Sequence, residues 1–177
     1  RGAVRGEGCA RAVRVARLAD PGLRAARALR VSPGGLYASP AYLAASGRPA
    51  TPQDLAAHHA IRLLGGNGEP VAWRLSRGDE RWEGVPPGRL TANSPEFLIR
   101  LARGATGIAA VPDHFTQADV RRGLLTRVLP EWCLPPQTAF AVFPGRRLMP
   151  AKTRVFIEML QAALADEAPV LPAKRRA

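Results

Sequence analysis

Three times in this chain a small polar residue is followed directly by proline and then by a helix-compatible stretch. The three are "YASP" at Tyr37–Pro40, "ATPQD" at Ala50–Asp54 and "NSPEF" at Asn93–Phe97. Proline at the first position of a helix loses nothing, because its missing N–H would have no intrahelical partner. Serine, threonine or asparagine just before it supplies the cap. The spacing therefore predicts short helices started at Ser39/Pro40 and at Thr51/Pro52, with Asp54 closing a capping box onto Thr51. A longer helix is predicted from Asn93 or Ser94 and Pro95 to Gly104, with Phe97, Leu98 and Leu101 on one face. Gly47 stands where a left-handed C-terminal residue is wanted.

Between these starts lie strand signals. "RAVRVARL" (Arg11–Leu18), "LYAS" (Leu36–Ser39) after the break at Gly34–Gly35, "AIRLL" (Ala60–Leu64) and "GRLTAN" (Gly88–Asn93) read as strands. "AWRLSR" and "RWEGV" flank Gly78–Asp79 and read as a hairpin, which makes the Arg77–Asp79 tripeptide a turn rather than an adhesion motif. "GIAAVP" (Gly107–Pro112) is short and continuously apolar, as a buried parallel strand requires. "DHFTQADVRRG" reads as a polar helix ending at Gly123, "LLTRVLP" as a strand, and "TAFAVFP" (Thr138–Pro144) as a further buried strand. The last helix runs from Pro150 to about Glu167, with Val155, Phe156, Met159, Leu160, Ala163 and Leu164 as its core stripe. Strand and helix alternate, so the fold class is α/β.

The 177 residues carry a net charge of +12, which raises a nucleic-acid reading. The arginines are scattered, however, and the one basic cluster is the tail Pro172–Ala177, expected to be disordered. No apolar run is long enough to span a membrane and no secretory signal is visible, so the expected location is cytoplasmic. Cys9 and Cys133 are far apart and read as free thiols; a redox pair or disulfide is the alternative.

Catalytic patterns are missing. There is no nucleophile elbow, phosphate loop or dinucleotide fingerprint. His58, His59 and His114 have no metal-ligand spacing, and the His58–His59 pair reads as a surface feature at a helix end. Ser39, His114 and Asp113 do not make a triad, because adjacent Asp and His cannot take the needed geometry. The expectation is no enzyme, no cofactor and no metal. What remains is a ligand cleft at strand ends beside helix starts, where backbone N–H groups favour an anion. At "ANSPEF" the alternatives are ordinary helix capping and a ligand site using Asn93, Ser94, Glu96 and Phe97.

The order of several stretches resembles the effector-binding domain of LysR-type transcriptional regulators. They are "VRVARLADPGLRAARAL", "LYASPAYLAASGRPATPQDLAAHHAI", "GRLTANSPEFLIRLARGATGIAAVPDH", "GLLTRVLPEW" and "AFAVFPGRRLMPAKTRVFIEMLQAAL", together covering roughly residues 7 to 166. The resemblance implies a two-lobed fold of the periplasmic-binding-protein type 2 kind, with an effector cleft between lobes. The expected division is 1–27 for the end of the first lobe and the crossover, 28–131 for the second lobe, 132–168 for the return with its C-terminal helix, and 169–177 for the tail. The second lobe is expected complete and the first partial, with exposed apolar surface. The implied effector-binding residues are Asn93, Ser94, Glu96, Phe97, Leu18, Asp20 and Pro112. The implied partners are a small anionic effector, other copies of the protein in a dimer or tetramer, and DNA through a winged helix-turn-helix that this chain lacks. A transport-type solute-binding protein of the same fold is the alternative.

Overall fold

In the computed structural model, residues 12–16, 26–142 and 151–165 are described, with side-chain environments for 32–137 and 154–163. The basic tail, Cys9, Leu18 and Asp20 lie outside them. The chain divides into two compact units, one of them Pro33–Pro136.

In that unit the chain-order elements are the end of β2 (Ala26–Ala38), α1 (Pro40–Ser46), a 3-10 turn at Pro52–Ala57, β3 (Ala60–Leu63), the hairpin β4 (Trp73–Arg77) and β5 (Glu80–Gly84), and β6 (Leu90–Ala92). They continue with α2 (Pro95–Arg103), β7 (Ile108–Pro112), a 3-10 turn at Asp113–Phe115, α3 (Gln117–Arg121), β8 (Thr126–Val128) and the start of β9 (Leu134–Val142). β3 lies between two parallel neighbours, β6 and β7. β2 runs antiparallel to β7 and to β8. In the other unit β1 (Ala12–Ala16) pairs antiparallel with Thr138–Val142 of β9, and α4 spans Ala151–Ala165.

The period-two alternation of the strands sorts their side chains onto two faces. Leu36, Ala38, Ala60 and Ile108 share one core with Tyr42, Leu55, Trp73, Leu75 and Trp132. Tyr37, Ile61, Ala92, Ala109 and Val111 share the other with Leu98, Ile99 and Ala102 of α2. Both sheet faces are thus covered, which is why "GIAAVP" reads as continuously apolar.

The proline-started helices form where the caps place them. Ser39 Oγ accepts from Tyr42 N–H, and Gly47 takes φ +81° after α1. Asp54 Oδ2 accepts from the N–H groups of Thr51 and Ala50, so its carboxyl is held below the usual carboxylate range by those backbone bonds. The segment it starts is a 3-10 turn rather than an α-helix.

Four expectations need correction. Gly34 and Gly35 do not break the chain, because β2 passes through both. They are glycines because of neighbours: a Cβ on Gly34 would lie 3.0 Å from Val111 O, and one on Gly35 2.9 Å from the Arg127 guanidinium carbon. His58 is buried and bonds Tyr42 Oη through Nδ1 at 3.2 Å, and only His59 of the pair is exposed. The polar helix after β7 is a 3-10 turn plus one short helix, and its Asp113, Thr116 and Asp119 are buried through hydrogen bonds, among them Arg103 to Asp119. Finally, α4 buries Ile157 and half-buries Leu160 and Gln161, while Val155, Phe156 and Met159 of the expected stripe are exposed. Apolar periodicity marks a face; it does not say what covers that face.

Candidate functional site

The carboxyl ends of β7, β3 and β6 lie side by side, and all three turn into polar segments. β6 ends at Ala92 and passes through Asn93 and Ser94 into α2. β3 runs into the Gly65–Pro70 turn, with Leu64 N–H bonded to Ala92 O. β7 ends at Pro112, opposite Gly34 of β2. In open α/β sheets this edge is where ligands bind.

At the start of α2, Ser94 stands in the cap position but makes no side-chain cap bond. Its hydroxyl donates instead to Glu96 Oε2 at 2.5 Å. That bond, with the Glu96 backbone N–H, holds the Glu96 carboxyl below its ordinary range. The helix start is therefore already supplied with a negative charge by the chain itself. Asn93 and Glu96 are exposed and Ser94 is half-buried. Phe97 is 50% exposed, not on the core face with Leu98, and Ile99 and Ala102 take that place. Its ring is open to a ligand or to solvent.

Pro112 is buried and sits two strands from Asn93, about 10 Å at ordinary strand spacing. The structure thus groups Asn93, Ser94, Glu96 and Phe97 at one helix start and sets Pro112 apart, with β3 in between.

Below Pro112 lies a polar cluster that the sequence did not reveal. Asp113 accepts from Tyr37 Oη at 2.8 Å and from Arg127 Nη1 at 3.0 Å. Arg127 also reaches Trp132 O at 3.5 Å and Cys133 Sγ at 3.4 Å, and its guanidinium faces the Tyr37 ring. Thr116 Oγ1 donates to Asp113 O. Tyr37, Asp113 and Arg127 are thus bonded together at the base of the rim. Burial pushes the Tyr37 phenol from 10.0 up to about 12; a Thr116 hydrogen bond opposes this and the Asp113 carboxylate adds to it. A phenol whose folded value is raised adds stability that is fully present below pH 10 and is lost as pH climbs toward about 12. Unfolding midpoints measured over that window should fall more steeply for the native protein than for Tyr37→Phe; parallel curves would contradict the shift.

A second residue was also missed. Arg62 on β3 has a buried Nε with no hydrogen-bond partner. Its signal in the sequence is a lone charge inside the apolar run "AIRLL". Among the described residues no group of three or more His, Cys, Asp and Glu side chains is placed to hold a metal ion. No helix among them is long and apolar enough to cross a membrane.

The LysR substrate binding domain family matches residues 11–165. The HTH-type transcriptional regulator PtxR of Pseudomonas aeruginosa is 34% identical over 159 residues, covering 88% of this chain and 49% of that protein. The HTH-type transcriptional activator AaeR of Escherichia coli is 29% identical over 158 residues, 84% of this chain and 47% of that protein. The chain spans about half the length of the curated relatives it matches. Among solved structures, the regulatory domain of AphB from Vibrio vulnificus superposes with TM-score 0.69 at 28% identity, over 86% of this chain and 74% of that one. The CrgA regulatory domain of Neisseria meningitidis, a LysR-type transcriptional regulator, gives 0.65 at 28%, over 87% and 74%. The fold is thus that of LysR-type regulatory domains, of the periplasmic-binding-protein type 2 kind, and the chain belongs to the LysR substrate-binding domain family.

Proposed function

We propose that this chain is the effector-sensing part of a LysR-type transcriptional regulator. A small molecule binds at the carboxyl ends of β3, β6 and β7, contacting Asn93, Ser94, Glu96 and Phe97 at the start of α2, with Leu18, Asp20 and Pro112 as further contacts. In the whole regulator the ligand acts only through differential affinity: it favours one arrangement and so shifts a dimer or tetramer on DNA. DNA is contacted through a winged helix-turn-helix elsewhere in such a regulator, in the cytoplasm. The domain itself carries out no catalysis and uses no cofactor.

The observation that carries this reading is the family match over residues 11–165. The matching relatives are named as transcriptional regulators, which favours it over a transport-type solute-binding protein. The test is operator binding and reporter transcription by a regulator carrying this domain, with and without fractionated cellular metabolites. A coupling of about 1–3 kcal/mol is typical of allostery, so one fraction is expected to shift operator affinity roughly 5- to 150-fold. Indifference to every fraction would count against the reading.

A further inference from the structure

Arg62 has the placement of a ligand anchor. It lies on β3, the middle of the three strands whose ends form the rim, one residue short of the strand's end. In the parallel register it stands beside Thr91 of β6, two residues before Asn93. Continuing the register of Ala60 with Ile108 and Ile61 with Ala109, its other neighbour is Ala110 of β7, two residues before Pro112. The strand alternation puts Arg62 on the face of Ala60 and Ile108, opposite the face that α2 covers.

Its electrostatic position is unusual. Arginine is always charged and offers five donors. Arg62 is half-buried, its Nε is shut off from solvent, and that atom has no hydrogen-bond partner. None of the ion pairs among the described residues involves it; Arg74, Arg77, Arg103 and Arg127 each have a carboxylate. Burying a charge is costly unless something pairs with it. The start of α2 is a poorer place for an anion, because Glu96 already puts a carboxylate there.

Resting on the effector-sensing reading above, we propose that Arg62 is the specificity-determining anchor of the site and that it selects effectors bearing a carboxylate. The planar guanidinium suits a carboxylate in a two-bonded geometry. The rest of such a ligand lies toward Asn93, two residues past Thr91 at the end of β6.

The test is calorimetric titration of the protein with benzoate and succinate, each beside its uncharged amide. The same titrations are made on Arg62→Gln and Arg62→Lys, with thermal melts of all three proteins without ligand. At least one acid is expected to bind more tightly than its amide. A hydrogen-bonded charge contact is worth about 1.5–3 kcal/mol, so Arg62→Gln should weaken that acid roughly ten- to hundredfold and leave the amide unchanged. Arg62→Lys should retain part of the affinity. Without ligand, Arg62→Gln should melt at or above the native temperature, since it removes an unpaired charge. Equal binding of the acid by native protein and Arg62→Gln, no preference for either acid over its amide, or no binding of either acid overturns the role of Arg62. So does a melt of Arg62→Gln well below native, which would make the residue structural. Operator response to metabolite fractions is unaffected by these outcomes and judges the effector reading separately.

Discussion

Replacing Asp113 with alanine should destabilise the protein by about 3–5 kcal/mol, the usual penalty for removing one partner of a buried ion pair. Asp113 is 6% exposed, and the Arg127 side chain it pairs with is 17% exposed. With the carboxylate gone, the guanidinium would keep only the Trp132 carbonyl and the Cys133 sulfur, both at long distance, and its Nε already lacks a partner. Tyr37 Oη would lose its acceptor as well. Total domain stabilities are about 5–15 kcal/mol, so the loss is a large fraction of what holds this unit together. Urea unfolding followed by circular dichroism measures it. Asp113→Asn keeps an oxygen for Tyr37 and loses the charge, so a smaller loss is expected. The decisive comparison is the double variant Asp113→Ala with Arg127→Met. Removing both charges removes the stranded cation, and the double variant should be more stable than Asp113→Ala alone. A loss below about 1 kcal/mol for Asp113→Ala, or strict additivity in the double variant, would mean that the pair is not coupled.

That cluster also shows where sequence reasoning reached its limit. The start of α2 was legible because capping is local: a small polar residue, a proline and an acid within four positions specify it. The hairpin at Gly78–Asp79 was legible for the same reason. Asp113 entered only as a member of the rejected triad with Ser39 and His114, since its true partners Tyr37 and Arg127 lie 76 and 14 residues away in the chain. Arg62 is similar: a strand pattern places it, but its lack of a partner is a property of the packed structure. Phe97 was assigned to the core face because periodicity counts apolar residues and does not see which of them is covered. The passage of β2 through Gly34 and Gly35 was hidden because those glycines answer to Val111 and Arg127, not to a turn. The family resemblance came from the order of many unremarkable stretches, and no single residue among them carries it.

Gly88→Ala should be about as damaging as the loss of Asp113, through sterics alone. Gly88 opens "GRLTAN", read as a strand, where glycine is normally a weak choice because it has no side chain to pack. Gly88 is not among the residues with positive φ, so its backbone suits any amino acid. What it lacks is room: a Cβ would sit 1.9 Å from Ala60 O and 2.9 Å from Ala60 C. The approach is tight because Ala60 N–H donates to Pro87 O at 2.7 Å, tying the segment before β6 to the first residue of β3. Backbone cannot rotate away as a side-chain tip can, so either that bond breaks or the start of β3 moves. Overpacking of an ordinary core costs about 1–3 kcal/mol, and a clash of backbone on both sides belongs at or above the top of that range. Gly68→Ala is the contrast. Gly68 has φ +81° and nothing within 4 Å of a new Cβ, so only the left-handed strain is paid, about 1–2 kcal/mol. Chemical unfolding of the two variants separates space from conformation. If Gly68→Ala proves the more damaging, close packing at the start of β3 does not matter. If Gly88→Ala does, then the alignment of β3 with β6, and with it the spacing of Arg62 from Thr91 and Asn93, is set at the far end of the strand by a residue that has no side chain.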